Sequence, residues 1–406
     1  MFRSIALLLT VALSCQKAPL LPIIPERVIG EILPVLKREY IEGEKLQPGT
    51  LYAAGLRAIR PDFTAAEATA EDLVSALDKL SPADQRVRTY QAIEGMLKAL
   101  PLGENELLRP ESLRWAEDPD RKFGVGLVLR RTTRGFLALD LLEGSAALRA
   151  GVQPGSYLKN VDGGSVAGMD LEEVVGRIRG PNGSTVELQF DSGKHSVIRG
   201  EFVFRNILNS NWSRSDGSQV AFLSLRSTLP GTDKQIKQLL ESTPRLSAVI
   251  LDLRKIHLGE LEESYAIADL FCQTELLGGI HTREGHKEFK AKPDTIFSGP
   301  LYVVIGAAAA PMAHALTFAL SACKANIVGP AGTPAAAFLG QESKLPGGIK
   351  LRLTGGYALS PDGRPLHQLT IPVTIAVADA LPARPPLSSV DLEDPAQKAI
   401  WAQLER

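Results

Sequence analysis

Between residues 201 and 380, short and continuously apolar runs alternate with stretches whose apolar residues recur every three or four positions. The runs are VAFLSL, AVILDL, LYVVIGA and ANIVG; between them lie DKQIKQLLES, LEESYAIADLF and MAHALTFALSA. A strand that is apolar on both faces must be covered on both faces, so this order predicts a sheet flanked by helices, an α/β core. Three further β-like segments, GIKLRLTGG, YALSPDGRPL and TIPVTIAV, close the region. Residues 381–406 read as a Pro-rich link followed by a terminal helix, DPAQKAIWAQLER.

Two other kinds of pattern precede this core, and a chain of 406 residues that is 44% hydrophobic has enough apolar material for separate cores. Residues 15–109 are helical in period, through EILPVLKREYIEGEKL, LYAAGLRAI, AEDLVSALDKL and YQAIEGMLKAL, with proline and glycine punctuating the pieces rather than interrupting them. Residues 110–200 change to short β-rich runs such as FGVGLVL and FLALDLL. Within them Asp170 is placed to cap a helix and Glu173 to complete a capping box, while Leu171, Val174, Val175 and Ile178 form one apolar face. Gly180-Pro181-Asn182-Gly183 then turns the chain into a strand, so a small barrel-like β module with one amphipathic helix is expected.

Residues 1–14 read as an export signal: Arg3, an apolar run from Ile5 to Leu13, and small residues at Ala12 and Ser14 ahead of Cys15. The run falls short of the roughly 20 residues of a membrane span, as does every later segment. The stretch resembles a bacterial lipoprotein signal, which implies lipidation of Cys15, although Leu13 stands one place nearer the cysteine than that pattern has its leucine. Plain secretion and an uncleaved anchor are the alternatives. Lys plus Arg (45) nearly cancel Asp plus Glu (46), so there is no bulk electrostatic case for nucleic acid or an anionic membrane surface. Cys272 and Cys323 lie in apolar helical patterns, where an unpaired buried thiol is the default and a single bridge an open alternative. No spacing suggests a metal site or a cofactor, and His281 and His286, flanking a polar stretch, are expected to be solvated loop residues.

The order of the segments resembles the C-terminal processing (tail-specific) serine peptidases. YQAIEGMLKAL stands where that family has a "GM" helix, FGVGLVL where it enters its PDZ domain, AVILDLR at its "iLDLR" strand, IADLF at the helix after it, LRLTGGYALSPDGRPL at a late hairpin and DPAQKAIWAQL at the closing helix. GSAALRAGVQPGSYLKNVDGGSVAGMDLEEVVGRIRGPNGSTVEL follows the PDZ pattern, with Ser156 where an aspartate is usual. The resemblance covers nearly all of the chain after the export signal. It implies an α+β/α/β multidomain protein with a helical N-terminal region, a PDZ-like β module and a ClpP/crotonase-like α/β core.

It also implies a serine nucleophile at the start of a helix and a lysine base in a following "TFGKG" segment, and here the chemistry departs. AAAAPMAHAL sets Pro311 at the nucleophile and His314 at a neighbouring glutamate, and neither proline nor alanine has an atom that can attack a carbonyl. Residues 299–320 contain no serine or cysteine, and only Thr317 carries a hydroxyl. GPAGTPAAAFLG leaves Ala335 or Ala336 at the base, with no lysine between Lys324 and Lys344. The family's "NPGG" turn becomes Ile256-His257-Leu258-Gly259, which removes one glycine from the oxyanion region at Leu258 and Gly259. Ser321 could in principle form a dyad with Lys344, or an S-x-x-K with Lys324. His257 and His314 could serve as bases with Thr317 or water.

The expectation is therefore an exported cell-envelope protein that has lost peptidase chemistry and binds polypeptide C-termini or a partner protein. An active endopeptidase with a displaced Ser-Lys dyad and a scaffold without peptide affinity are the rivals. For binding, the resemblance points to Phe123, Gly124, Val125, Gly126 and Leu127, whose backbone N–H groups would meet a carboxylate, and to Val174 and Ile178 as part of a groove wall.

Overall fold

A computed structural model of the chain describes residues 21–116, 122–273, 276–307, 309–379 and 389–405. The expected export signal at residues 1–14, Cys15 and most of the Pro-rich link lie outside the described residues. The N-terminal region holds α1 (Pro25–Glu39), α2 (Pro48–Ile59), α3 (Ala70–Asp78) and α4 (Pro82–Lys98). Proline opens α1, α2 and α4, where its missing N–H costs no helical bond. Thr69 and Asp72 close a reciprocal capping box on α3, and the Ser81 side chain caps α4. One proline does interrupt: Pro34 sits inside α1, and Gly30, whose carbonyl loses its partner there, is exposed.

A short strand, β1 (Glu106–Leu108), and a helix, α5 (Pro110–Ala116), lead into the β module. The module comprises β2 (Leu127–Thr132), β3 (Gly135–Leu141), α6 (Ala146–Arg149), β4 (Tyr157–Val161), β5 (Gly164–Ser165), α7 (Leu171–Ile178), β6 (Thr185–Phe190) and β7 (Gly193–Ile198). Its strands run in the order β2-β3-β4-β6-β7, all antiparallel, with β5 paired to β4. Asp170 caps α7 through its bond from Glu173 N (2.9 Å), but the box is half formed, because the Glu173 carboxylate turns to Arg177 at 2.8 Å.

The α/β core follows: β8 (Ile207–Ser213), β9 (Gln219–Leu225), β10 (Ser227–Thr228), α8 (Thr232–Glu241), β11 (Leu246–Asp252), β12 (Leu258–Gly259) and α9 (Leu261–Asp269). Then come β13 (Leu276–Thr282), β14 (Gly285–Lys290), β15 (Leu301–Val304), α10 (Pro311–Ala322), β16 (Asn326–Gly329), β17 (Phe338–Lys344), β18 (Lys350–Leu359), β19 (Ile375–Ala376) and α11 (Pro395–Leu404). The main sheet has the order β19-β16-β15-β11-β9-β8, parallel except for β8. Alternate residues serve opposite faces: Val249 and Leu251 of β11 pack with α8, α9 and α10, whereas Ala248 and Ile250 pack with Ala396, Ile400 and Leu404 of α11.

A second sheet, β1-β18-β13-β14 with β17 also on β18, joins the parts. GIKLRLTGG and the start of YALSPDGRPL form a single strand, β18, rather than two. Its Leu351 and Leu353 pack with the N-terminal helices and its Ala358 with the α/β core. His281 and His286 are not loop residues; they face each other on β13 and β14. Cys272 and Cys323 form a disulfide, so the unpaired default is overturned. The bridge ties the segment after α9 to the C-cap of α10.

Candidate active site

The site is assembled around the N-terminal end of α10. Ala310 is the N-cap and Pro311 the first helical residue, without any side-chain cap. One turn in, His314 is buried, and its Nδ1 lies against the backbone of Ala336: the Ala336 N–H points at it from 2.9 Å and the Ala336 carbonyl is 2.7 Å away. The structure thus brings the helix mouth and the Ala335–Ala336 segment together, with an imidazole filling the space between them. Burial holds the His314 imidazole below the ordinary histidine range, and the Arg130 cation adds to this, while the Ala336 carbonyl opposes it. Its Nε2 has no partner among the described residues. Thr317, the one hydroxyl on this stretch, is fully buried and donates to Ala313 O at 2.7 Å, facing its own helix rather than the mouth.

The loop after β11 forms the opposite wall. β12 pairs in parallel with β10, and the N–H groups of His257 and Glu260 donate to Arg226 O (3.1 Å) and Thr228 O (2.9 Å). Gly259 has φ +143, and a Cβ there would lie 2.2 Å from Thr228 Oγ1. Backbone conformation and this close approach suffice to require glycine at 259, whatever becomes of an oxyanion. His257 Nδ1 is 3.0 Å from the Lys255 carbonyl, which can only accept, so the proton is on Nδ1 and the Nε2 lone pair is free of it. Burial lowers the His257 pKa as well.

Ser321, Lys324 and Lys344 are not drawn into this site. Ser321 is near the other end of α10 and donates to Phe318 O at 2.8 Å. Lys324 is an exposed residue at φ +65 just past the helix, and Lys344 ends β17 beside Leu345, which packs with the N-terminal helices. Among the described residues no hydrogen bond joins Ser321 to either lysine.

A buried charge cluster at the junction with the β module is not evident from the motifs. Asp140 of β3 accepts a hydrogen bond from Lys255 Nζ at 2.9 Å and is ion-paired with Arg226, whose Nε lies 2.8 Å from the other carboxylate oxygen, and all three side chains are at most 3% exposed. Arg130 of β2 reaches Ile256 O at 3.3 Å, in the same loop as His257. The available signal is a lone aspartate in FLALDLL and an arginine directly after the apolar run AFLSL. A charge inside an apolar strand needs a partner.

In the β module, Val174 and Ile178 are core residues, 0% and 6% exposed, and so cannot line a groove. That half of the helix face is consumed in packing the module, which leaves Leu171 and Val175 half-buried on a helix that packs against β2. Phe123 N–H donates to Gly180 O and the Gly124 carbonyl accepts from Gly200 N–H, so only part of this backbone is open to a ligand. The N–H groups of Gly124, Val125 and Gly126 have no backbone acceptor among the described residues, but Val125 and Gly126 are buried, Val125 in the module's core, which leaves the half-buried Gly124 as the accessible one of the three. Gly126 has φ +73, and a Cβ would come within 2.2 Å of Ser145 Cβ.

The described residues thus form a largely parallel sheet, with α10 between β15 and β16, joined to an antiparallel module. Residues 219–377 match the model of peptidase family S41, so the chain carries an S41 domain. Its homologues are named carboxyl-terminal processing proteases. The one from Synechocystis sp. (strain ATCC 27184 / PCC 6803 / Kazusa) is 26% identical over 338 residues, 80% of this chain and 78% of that one. The one from Picosynechococcus sp. (strain ATCC 27264 / PCC 7002 / PR-6) is 29% identical over 255 residues, 59% of this chain but only 61% of that protein's length. Among solved structures, the photosystem II D1 C-terminal processing protease superposes with a TM-score of 0.65 at 20% identity, covering 93% of this chain and 97% of that one. The fold is thus shared with a C-terminal processing protease.

Proposed function

We propose that the protein is a catalytically silent relative of the C-terminal processing proteases that binds polypeptide C-termini or a partner in the bacterial cell envelope. The observation that carries this reading is the mouth of α10: Pro311 is its first residue, the Ala335–Ala336 backbone holds His314 Nδ1, and Thr317 donates into its own helix. Loss of the nucleophile alone costs a serine peptidase about a millionfold in turnover, and here nucleophile and base are both missing.

The binding half of the proposal rests on the β module, read as PDZ-like. The N–H group of Gly124, half-buried and without a backbone acceptor among the described residues, suits a carboxylate, and β2 offers an edge for an extended chain, with Leu171 and Val175 on the flanking helix. A few backbone hydrogen bonds and one buried side chain, offset by ordering costs, support a Kd of roughly micromolar or weaker.

The test is incubation of the purified protein with an unfolded substrate that has an apolar C-terminus. No cleavage is expected. Turnover abolished by Ser321→Ala or Lys344→Ala would overturn the reading in favour of a displaced dyad. In parallel, peptides ending in a free carboxylate should bind and their amides should not; equal binding, or none, leaves the module as a packing element and the protein as a scaffold.

A further inference from the structure

A row of rings crosses the outer face of the second sheet. His286 on β14 stands opposite His281 on β13, His281 opposite Tyr357 on β18, and Tyr357 opposite Phe338 on β17. Neighbouring ring centroids are 4.3 Å apart for the two histidines and 4.8 Å for His281 and Tyr357. Nothing in the peptidase-like site makes use of this row, and its histidine end is open: His286 is exposed and His281 half-buried.

The two imidazoles approach through like atoms, with His281 Nδ1 and His286 Nδ1 3.1 Å apart and the rings tilted by 32°. One hydrogen bond can join them only if exactly one of the two nitrogens is protonated, and two charged rings would repel at this distance. The backbone under the pair is constrained. The two residues flank the Arg283–Glu284 turn, each separated from it by one residue and in register across two hydrogen-bonded strands, and Arg283 is anchored by bonds to the Tyr40 carbonyl (3.0 Å) and Glu44 (2.9 Å) of the N-terminal region.

We propose that His281 and His286 chelate a divalent late first-row transition metal through their Nδ1 atoms. Metal–imidazole bonds are about 2.05 Å; donors 3.1 Å apart therefore subtend about 98° at a shared ion, between the square-planar and tetrahedral angles. Binding needs only a rotation of the rings that turns both lone pairs toward one point. No group of three or more His, Cys, Asp or Glu side chains is placed to hold a metal among the described residues, so water fills the remaining positions. The ion is accordingly exchangeable rather than structural, and copper(II) binds more tightly than nickel(II) or zinc(II). The site is independent of the α10 mouth, and its fate says nothing about peptidase activity.

The experiment is a calorimetric titration of the tag-free full chain with copper(II) in a non-coordinating buffer at pH 7.5, with electron paramagnetic resonance of the one-to-one complex. The expected result is a site that His281→Asn and His286→Asn each weaken at least tenfold and that His195→Asn leaves unchanged, with two imidazole nitrogens in the spectrum. Affinity should fall as the pH drops below the imidazole range, because protons compete for the same lone pairs. Affinities within twofold of each other for wild type and both variants, or a spectrum without imidazole nitrogen, would show that the pair shares a hydrogen bond and nothing more. A readout free of mutation is proton resonance of the wild-type chain under substoichiometric copper(II). The lines of His281 and His286 should broaden first, and earlier broadening of any other histidine overturns the assignment.

Discussion

His314 and His257 are neutral imidazoles inside a protein, and that has a thermodynamic signature. Burial lowers both folded pKa values, so in the window from the ordinary histidine value downward the unfolded chain binds protons that the folded chain refuses. Stability is full above the unfolded pKa and is lost as pH falls toward the folded values. We expect the urea midpoint to decline between pH 7.5 and pH 5.5, with a shallower decline for His314→Gln, checked by fluorescence-monitored unfolding across that range. A second consequence belongs to Asp140. Replacing it with Asn leaves Arg226 and Lys255 buried without their carboxylate, and breaking such a cluster costs about 3–5 kcal/mol. Urea titration should register this loss, and the triple change Asp140→Leu, Arg226→Met and Lys255→Met should recover most of it.

At the scale of elements, the strands that sequence patterning makes legible are those buried on both faces. β9, β11, β15 and β16 appear as continuous apolar runs because one face meets helices and the other meets α11. β14 and β17 are not legible: GHKEFK and FLGQESK carry polar residues because most of their positions are open to solvent, and β13 contains two glycines that weaken any strand signal. Segment order alone points to the α10 mouth and the Ala335–Ala336 segment as one neighbourhood, and His314 of the first meets Ala336 of the second. Val174 and Ile178 were misjudged because periodicity identifies the apolar face of α7 but not how much of it the module's own core consumes. The Asp140 cluster joins residues 115 positions apart, beyond the reach of any local pattern. The disulfide is a further element-scale device. It closes a separation of 51 residues, and such a link contributes about 2–4 kcal/mol, largely by restricting the unfolded chain. Cys272→Ser with Cys323→Ser should lower stability by that amount, while the oxidised wild type should show no thiol at these positions when alkylated under denaturing conditions.

For the whole molecule, a disulfide in the α/β core suits an oxidising compartment, as does the apolar run ahead of Cys15. The native protein should therefore have a mature N-terminus at Cys15, acylated, when analysed by mass spectrometry; an intact Met1 in a cytoplasmic fraction would remove the export reading. No described helix is long and apolar enough to cross a membrane. The three cores are not independent bodies. The N-terminal helices pack on β18, a strand of the sheet that also faces the α/β core, and the β module is fastened to that core by Asp140. Ligand captured by the module would thus be presented next to the α10 mouth rather than on a free tether.

Arg254 lies at the end of β11, paired both with Asp252 two residues away and with Asp394, the N-cap of α11, each at 2.7 Å. The second carboxylate is encoded 140 residues later. At roughly 5–20 residues per second, a ribosome needs about 7–28 s to supply it. During that interval the residues of the main sheet that α11 will cover, Trp212, Phe222 and Ile250 from the start and Tyr302 once it is made, lack that helix. The nascent protein therefore passes through a period in which a broad apolar wall is bare, and shielding that wall until the last helix is made falls to whatever holds the growing chain.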